Sequence, residues 1–314
     1  PLHGPGIPGP MQSPAMESCH VHLQLWDEIH RLSEIDFLGR RISRVFLALE
    51  TNDVAGLDKA KSLYDSTPGF DAQWLDRDQL RRIEPRINSA ALGGLLASGN
   101  ATVDAWAYTR AVADAAVVLG ATIIKADVKD IAFAGDRASA VVLDSDRIEC
   151  DYLIIATGPW IDGPAAWLNL DLPVEPVKGE MLLVRMDDPL LHHDVTWRDS
   201  GIYVHCGNEV WLGGTEERCE FNEAVSDQGR TTVMESAARI MPGMERATVI
   251  RQIAGLRPVT RDHLPIIGPA PGWKNVFLAL GGGRKGMLLG PAMGQAAVDC
   301  AARAEELKRA RAAG

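Results

Sequence analysis

Apolar residues recur at close to helical spacing in several segments of the chain, and most of these segments have a recognisable start or end. Ser13 and Pro14 precede the first segment and are typical of a helix N-cap and a first helical residue. Asp76 and Gln79 have the spacing of a capping box, and Pro85 ends the short helix that they begin. The pattern predicts helices over 15–32, 53–65, the segment between 76 and 85, 104–119, 226–241 and 287–311.

Shorter apolar runs, bounded by turn residues, predict strands. The turn at 134–137 lies between two of these runs, which indicates an antiparallel hairpin. Another run, 152–156, is continuously apolar and ends in Thr157-Gly158. The predicted strands are 44–50, 93–97, 121–125, 128–133, 138–143, 152–156, 174–186, 202–206, 210–215, 248–256 and 276–280.

The order of these elements predicts the fold class. From residue 104 onward, a helix, a strand, a hairpin and a buried strand follow one another, which indicates part of a doubly wound nucleotide-binding sheet. The strands between 174 and 215 are joined by turns, as in a mostly antiparallel sheet. We therefore predict an α/β protein in which a doubly wound, Rossmann-like domain is interleaved with an antiparallel-sheet domain.

Composition excludes several classes of protein. The chain has 314 residues, 46% of them hydrophobic and 24% charged, which is unlike a disordered or fibrous protein. Its net charge of −10 argues against a nucleic-acid-binding surface. No uncharged apolar run reaches about 18 residues and no secretory signal opens the chain, so we expect neither a membrane span nor export. Five cysteines without a C-x-x-C pair predict reduced thiols and a cytoplasmic location.

The most informative local motif is glycine-rich, GGGRKGMLLG at 281–290, between a predicted buried strand and the predicted last helix. Glycine lets the backbone approach a ligand closely, and a helix start presents free N–H groups and a positive dipole end. Such a turn favours an anion: a phosphate, a carboxylate, or a flavin ring that becomes negative on reduction. A strand-to-helix turn needed only for tight packing accounts for the motif equally well.

A second motif, AGLRPVTRDHLPIIG at 254–268, places Arg257 at the end of a predicted strand. A planar guanidinium there can hold a carboxylate through two parallel hydrogen bonds. The simpler alternative is a surface arginine paired with Asp262. Tyr203 lies in another apolar strand and Arg284 in the glycine-rich motif. Together with Arg257 they would form a site for a small carboxylate, a convergence that spacing alone does not establish.

Two histidine-containing segments do not predict a metal site. In Cys19-His20-Val21-His22 the neighbouring residues point in different directions on a predicted helix, so a solvated helix is the better interpretation. His192-His193-Asp194 follows a proline in a predicted loop. We therefore expect no bound metal.

Several motifs, taken in order, resemble one enzyme family. They are Trp74-Leu75, Ile83-Glu84-Pro85, Val103-Asp104, IIATGPW (154–160), YVHCGNEVWLGGT (203–215), GLRPVTRDHLPIIGP (255–269) and GGGRKGMLLGPAMG (281–294). The chain resembles FAD-dependent amine oxidoreductases of the D-amino-acid oxidase group, and is most similar to bacterial glycine oxidases. The resemblance covers nearly the whole chain.

The resemblance implies roles for individual residues. Arg257 is similar to the arginine that clamps the substrate carboxylate, Tyr203 to the tyrosine that helps to hold it, and Arg284 to a second arginine above the flavin. The implied cofactor-binding residues are Val128 near the adenine, Ala156, Thr157 and Gly158 beneath the cofactor, and Gly282, Gly283, Arg284, Lys285, Gly286, Met287 and Leu288 around the flavin ring.

The resemblance also implies a reaction. FAD would take a hydride at N5 from a small amino acid, glycine or a D-amino acid, giving a keto acid, ammonia and hydrogen peroxide, with no catalytic side chain required. Sarcosine oxidases attach their flavin through a cysteine just before the GLRP-like segment, and 251–260 has none, so we expect non-covalent FAD. A sarcosine, other secondary-amine or D-amino-acid dehydrogenase, with a carrier in place of dioxygen, is an alternative. The number of subunits stays open.

The implied FAD-binding domain comprises 1–35, 88–170 and 255–314, and the substrate-binding domain comprises 36–87 and 171–254. Family members begin with a strand, a G-x-G-x-x-G turn and a helix, which this sequence lacks, so we expect a chain truncated at its N-terminus. An inactive fragment that does not hold FAD is the corresponding alternative. Relatives more often have Pro-Arg in place of His205-Cys206, which leaves the substrate side chain open.

Overall fold

A computed structural model describes residues 7–187 and 189–313. Its helices are α1 (Gln12–Leu32), α2 (Thr51–Asp65), α3 (Arg77–Ile83), α4 (Ala105–Val118), α5 (Asp162–Leu168), α6 (Asp227–Ile240) and α7 (Gly286–Ala313), with 3-10 turns at Pro242–Arg246 and Gly283–Lys285. Within these described ranges, none of the helices is both long enough and apolar enough to cross a membrane.

The strands confirm most of the predicted apolar runs, although their bounds differ by a few residues. They are β1 (Arg40–Arg41), β2 (Arg44–Ala48), β3 (Asp71–Leu75), β4 (Gly93–Ser98), β5 (Ala101–Thr102), β6 (Asp130–Ala134), β7 (Arg137–Val142), β8 (Arg147–Glu149), β9 (Leu153–Ile155), β10 (Val174–Arg185), β11 (Asp194–Trp197), β12 (Ser200–Val204), β13 (Glu209–Gly213), β14 (Glu217–Arg218), β15 (Thr248–Thr260), β16 (Ile266–Pro269) and β17 (Val276–Leu280). The strand β17 has the predicted bounds, and β15 continues four residues beyond them.

Side-chain caps begin several helices. Asp76 Oδ1 accepts from the backbone N–H of Gln79, and Gln79 Oε1 accepts from that of Asp76, both at 2.8 Å, so the predicted capping box is confirmed. Asp104 at α4 and Ser226 at α6 each accept a hydrogen bond of 2.9 Å from the backbone N–H three residues on. Each cap satisfies a donor that the helix leaves unpaired and contributes about 1 kcal/mol.

The chain forms two compact units, and the first comprises Ser33–Val112 and Lys178–Leu256. Its sheet has the order β14-β10-β13-β12-β11-β2-β4-β3, with β15 also paired to β10. The strands β11 and β2 are parallel, whereas the β11/β12, β12/β13 and β2/β4 pairs are antiparallel. One face buries Val45, Val195 and Ile202, each 0% exposed, in a core that also contains residues of α3 and α6. Each such side chain contributes about 1.5–3 kcal/mol through burial.

The second unit comprises the described parts of 5–32, 113–177 and 257–314. Its small sheet has the order β16-β17-β9, with β17 and β9 parallel, and β6, β7 and β8 form a separate antiparallel sheet. Asn275, which is fully buried, joins the two sheets. Its side-chain amide donates to the carbonyls of Ala138 and Asp151 at 2.8 and 2.7 Å, and its Oδ1 accepts from Ala138 N at 2.9 Å.

The strand predicted over 121–125 is wrong. Residues 121–129 lie outside the strands, and the side chains of Ile123 and Ile124 are 62% and 55% exposed. An apolar run becomes a strand where another strand pairs with it, and no strand of the described residues does so here. The predicted hairpin is present but begins at Asp130, so Val128 precedes it and is 43% exposed.

The unit boundaries differ from the predicted domain boundaries at residues 88–112. These residues belong to the first unit, whereas the sequence prediction grouped them with the FAD-binding domain. The physical reason is strand pairing, because β4 lies between β2 and β3, and β5 pairs with β1. The assignment of FAD and substrate to the two units stays a prediction.

Candidate active site

The glycine-rich motif forms a tight turn between β17 and α7. Gly281 and Gly283 have φ values of 75° and 52°, which lie in the left-handed region that favours glycine. A Cβ on Gly281 would lie 2.6 Å from Thr260 Cγ2, and one on Gly282 would lie 2.8 Å from Gly286 Cα. The turn therefore requires glycine at these positions, both for its backbone conformation and for its packing.

The same turn packs beside the end of β15, which contains Arg257. A Cβ on Gly283 would lie 3.8 Å from the carbonyl oxygen of Pro258, the residue after Arg257. At the end of β15, Thr260 Oγ1 donates to the carbonyl of Leu264 at 2.7 Å, and Asp262 Oδ1 accepts from Leu264 N at 3.0 Å. The hydrogen bond from Leu264 holds the pKa of Asp262 below its ordinary value. Asp262 thus stabilises the separate turn at residues 260–264.

The end of β9 lies next to the end of β17. These strands are parallel, with Ile155 opposite Leu278, so Thr157-Gly158 and the glycine-rich turn both follow the carboxyl ends of adjacent strands. Ligands of open α/β sheets bind at such ends. Gly158 has a φ of 60°, and Thr157 Oγ1 is buried with no hydrogen-bond partner in the described residues. A buried hydroxyl without a partner is uncommon unless a ligand or a water molecule forms a hydrogen bond with it.

The start of α7 is held by α1. Pro291 lies inside α7 and has no N–H to donate to the carbonyl of Met287, four residues earlier. His22 Nε2 lies 2.8 Å from that carbonyl oxygen, so the ring donates in place of the missing N–H. Burial lowers the pKa of His22 below its ordinary value, although the backbone hydrogen bonds oppose this. Ser18 Oγ accepts from Ala292 N at 3.1 Å on the same helix pair.

Tyr203 lies on β12 in the first unit, opposite Trp211 of β13, and is half-buried. Gly201 gives its ring room, because a Cβ there would lie 2.6 Å from the Tyr203 hydroxyl oxygen. The guanidinium carbon of Arg44 lies 5.2 Å from the centroid of the Tyr203 ring. Arg44 is not among the predicted site residues, because it belongs to no motif and lies far from Tyr203 in the chain.

The predicted site residues divide between the units. Tyr203 belongs to the first unit, and Arg257, Arg284, Thr157 and Gly158 belong to the second. Ala156, Arg284 and Met287 are exposed, whereas Arg257, Thr157, Gly158, Gly282, Gly283, Lys285, Gly286 and Leu288 are half-buried. Among the described residues, no group of three His, Cys, Asp or Glu side chains is placed to hold a metal ion.

Comparison with known proteins identifies the family to which this chain belongs. A family model described as DAO, FAD dependent oxidoreductase, matches residues 6–300. The chain belongs to the DAO family of FAD-dependent oxidoreductases. Its FAD-binding α/β fold is the one that the sequence predicted, and the cofactor of the family is FAD.

Particular relatives are similar over most of this chain. A glycine oxidase of Geobacillus kaustophilus strain HTA426 is 33% identical over 243 residues, which cover 76% of this chain and 63% of that protein. The hydrogen cyanide synthase subunit HcnC of Pseudomonas protegens is 29% identical, over 87% of this chain and 66% of that protein. The crystal structure of glycine oxidase from Geobacillus kaustophilus superposes with a TM-score of 0.88 at 28% identity, covering 94% of this chain and 80% of that one. The chain thus spans less than two thirds of these two curated relatives.

The residues at the ends of β9 and β17 fit FAD. Thr157 offers a buried hydroxyl without a partner in the described structure, and the glycine-rich turn follows the carboxyl end of the adjacent strand. The N-terminus of α7 adds backbone N–H donors and a positive dipole end, which suit the anionic parts of a flavin nucleotide.

Proposed function

We propose that the protein oxidises a small amino acid, glycine or a D-amino acid, in an FAD-dependent reaction. The observation that supports this most is the packing of the glycine-rich turn beside the end of β15, next to Arg257. A permanently charged guanidinium on a strand that ends beside a glycine-rich turn is suited to holding a carboxylate next to a flat cofactor. When bound, FAD supplies the redox chemistry by accepting a hydride from the carbon that bears the amine.

The cofactor is held without a covalent bond. Residues 251–260 contain no cysteine, so β15 offers no thiol for attachment. Thr157 and Gly158 would lie beneath the cofactor, the backbone from Gly282 to Leu288 would surround the flavin ring, and Val128 would lie near the adenine.

The substrate is held by its carboxylate. Arg257 and Arg284 supply two guanidiniums, and the hydroxyl of Tyr203 supplies a further donor. Charge-assisted hydrogen bonds of this kind fix both the position and the orientation of a carboxylate. A substrate fixed in this way presents one face of its α-carbon to the cofactor, which lowers the entropic part of the barrier.

No side-chain base is required when the amine enters in its neutral form. The oxidised substrate is an imine, and water hydrolyses it to a keto acid and ammonia. With dioxygen as electron acceptor the second product is hydrogen peroxide. Five cysteines that form no disulfide among the described residues agree with a cytoplasmic location.

A dehydrogenase that passes its electrons to another protein is the second candidate. It is favoured by the alignment with HcnC, which is described as a subunit and covers 87% of this chain. The two candidates differ in the electron acceptor and not in the way the carboxylate is held.

The test is anaerobic reduction of the purified, FAD-loaded protein. Glycine or D-alanine should bleach the absorbance of the oxidised flavin, and air should restore it with release of peroxide if the protein is an oxidase. Bleaching that only an artificial electron acceptor reverses would favour the dehydrogenase. If neither glycine, sarcosine nor any D-amino acid bleaches a fully loaded protein, the proposed amino acid oxidation is wrong.

A further inference from the structure

A buried ion pair lies next to Tyr203 in the first unit. Arg44 of β2 and Asp194 of β11 are opposite each other in the parallel register, and Arg44 Nη2 donates to Asp194 Oδ2 at 2.7 Å. Their side chains are 12% and 1% exposed. The guanidinium carbon is 5.2 Å from the centroid of the Tyr203 ring, which is within the range of a cation–π interaction. Arg44 therefore contacts both a carboxylate and the phenol ring.

The same ion pair holds the backbone next to Tyr203. Asp194 Oδ1 accepts from the N–H of Val204 at 3.0 Å, so Asp194 links the guanidinium to β12. Arg40 Nη2 donates to the carbonyls of Val204 and His205, each at 2.8 Å. The ring of Tyr203 and the peptide groups that follow it are thus held by charged side chains from β2, β11 and β1.

This arrangement is a poor way to stabilise the fold. Arg44 Nε and Thr196 Oγ1 are buried and make no hydrogen bond to any described residue. A buried ion pair with an unsatisfied polar atom contributes little net stability, and apolar residues of similar size often serve as well. On the opposite face of the same strands, Val45, Val195 and Ile202 form an ordinary apolar core. The charged pair beside Tyr203 calls for an explanation other than stability.

We propose that Arg44 is a positioning residue for Tyr203, and that through Tyr203 it sets the affinity of the protein for the carboxylate of its substrate. The second clause rests on the proposed function. The cation under the ring draws electron density from the phenol, which makes its hydroxyl a stronger donor to an anion. The pair also restricts the rotation of the ring, so that less conformational entropy is lost when a carboxylate binds.

The test is a double-mutant cycle on the FAD-loaded protein with Arg44→Met and Tyr203→Phe. Acetate serves as the carboxylate probe, with its dissociation constant taken from the change in the flavin spectrum, and glycine serves as the substrate. Arg44→Met should weaken acetate binding by about ten-fold, the size of a charge-assisted hydrogen bond, and should raise KM for glycine more than it lowers kcat. In the Tyr203→Phe background the same change should have almost no further effect.

The matched control is Arg198→Met. The Arg198 guanidinium lies 4.7 Å from the centroid of the Trp197 ring and pairs with Glu50 and Asp53, so it has the same kinds of contact in the same unit. Its removal should leave acetate binding unchanged. Arg44→Lys, which retains the positive charge, should recover part of the affinity lost in Arg44→Met. A merely structural role does not predict the dependence on the hydroxyl of Tyr203.

Two results would overturn the positioning role. One is wild-type acetate affinity in Arg44→Met, and the other is an equal loss with and without the Tyr203 hydroxyl. If Arg44→Met does not fold, Arg44→Gln, which keeps a hydrogen-bond donor for Asp194 but removes the charge, enters the same cycle with the same criteria. The proposed function is overturned as well if FAD-loaded wild-type protein neither binds acetate nor is reduced by an amino acid. Failure of the double-mutant cycle alone leaves the proposed function intact.

Discussion

At the scale of single residues, the candidate site depends on where the chain places its charged groups. Arg257 illustrates this, because it lies one residue before Pro258, whose carbonyl oxygen is close to the glycine-rich turn. Its place in the chain, and not only its charge, makes it the best candidate for holding a carboxylate. Its removal should therefore have a different effect from removal of a nearby surface arginine.

Changing Arg257 to Ala should weaken substrate binding strongly and leave the flavin content almost unchanged. The lost charge-assisted hydrogen bonds correspond to about 1.5–3 kcal/mol, or roughly ten-fold or more in KM. Steady-state kinetics measure KM, and the flavin-to-protein absorbance ratio measures the flavin content. Arg261→Ala, an exposed arginine four residues on, is the control and should behave like the wild type. An equal fall in flavin content and substrate affinity would mean that Arg257 is structural.

Glu180 is a residue on which stability should depend. It is 1% exposed, and it accepts hydrogen bonds from Ser226 N at 2.9 Å, Ser226 Oγ at 2.7 Å and Gln252 Nε2 at 2.7 Å. Burial by itself raises the pKa of Glu180, but these hydrogen bonds and the charge of Lys178 lower it more, so the pKa lies below its ordinary value. The ionised carboxylate therefore contributes stability above the unfolded pKa of about 4.3, and this is lost as the pH falls through the folded value.

Glu180→Gln should lower the free energy of unfolding by about 1.5–3 kcal/mol at neutral pH. The difference from the wild type should shrink as the pH falls below about 4, because the wild-type carboxyl then becomes protonated. Calorimetric melting at several pH values measures both effects. Glu209→Gln, which breaks the more exposed pair with Arg185, should cost less than about 1 kcal/mol. A difference that stays constant over the whole acid range would contradict the role of ionised Glu180.

At the scale of elements, the glycine-rich turn and α7 form one structural unit. The turn uses left-handed backbone at Gly281 and Gly283, and α7 begins directly after it at Gly286. The backbone conformation of the turn thus depends on its glycines, and the position at which α7 begins follows from that conformation.

Changing Gly281 to Ala should therefore lower both stability and flavin content. The new Cβ would meet Thr260 Cγ2 at 2.6 Å, and the φ of 75° adds a cost of about 1–2 kcal/mol for an L-residue. Thermal melting and the flavin-to-protein ratio measure the two effects. Gly294→Ala is the control, because a Cβ on this helical glycine has nothing within 4 Å, and it should stabilise the protein by about 0.5–1 kcal/mol. Wild-type flavin content in Gly281→Ala would show that the turn does not contact the cofactor.

The elements also show what the sequence could and could not predict. The capping box at Asp76 joins residues three positions apart, so its local pattern was sufficient, and β17 formed as predicted because its apolar run finds strand partners in β9 and β16. The run at 121–125 has equally strong β-propensity, but strand formation requires a partner, which a local pattern does not reveal. The contact of Arg44 with Tyr203 joins residues far apart in the sequence, and no spacing rule predicts it. For the site residues, the ordered motifs of the family were more informative than any single pattern.

At the scale of the whole molecule, cofactor and fold should be thermodynamically linked. A ligand that binds only the folded protein raises its stability by mass action, by about 2.7 kcal/mol at a concentration one hundred times its dissociation constant. Removing FAD should therefore lower the melting temperature by several degrees, roughly 2–4 °C per kcal/mol at this size, and restoring it should reverse the change. Differential scanning calorimetry of the loaded and stripped protein provides the measurement. Adenosine monophosphate at the same concentration is a control, and equal melting temperatures for loaded and stripped protein would contradict a site confined to the folded state.

The proline inside α7 has a consequence for how this chain can vary. Pro291 leaves the carbonyl of Met287 without its usual helical donor, and His22, from a helix more than 250 positions earlier in the sequence, donates instead. The two positions are therefore expected to change together: a homologue that regains an N–H at the proline position no longer needs a donor from the first helix. Substitution in one without the other would leave either an unsatisfied carbonyl or two donors competing for it.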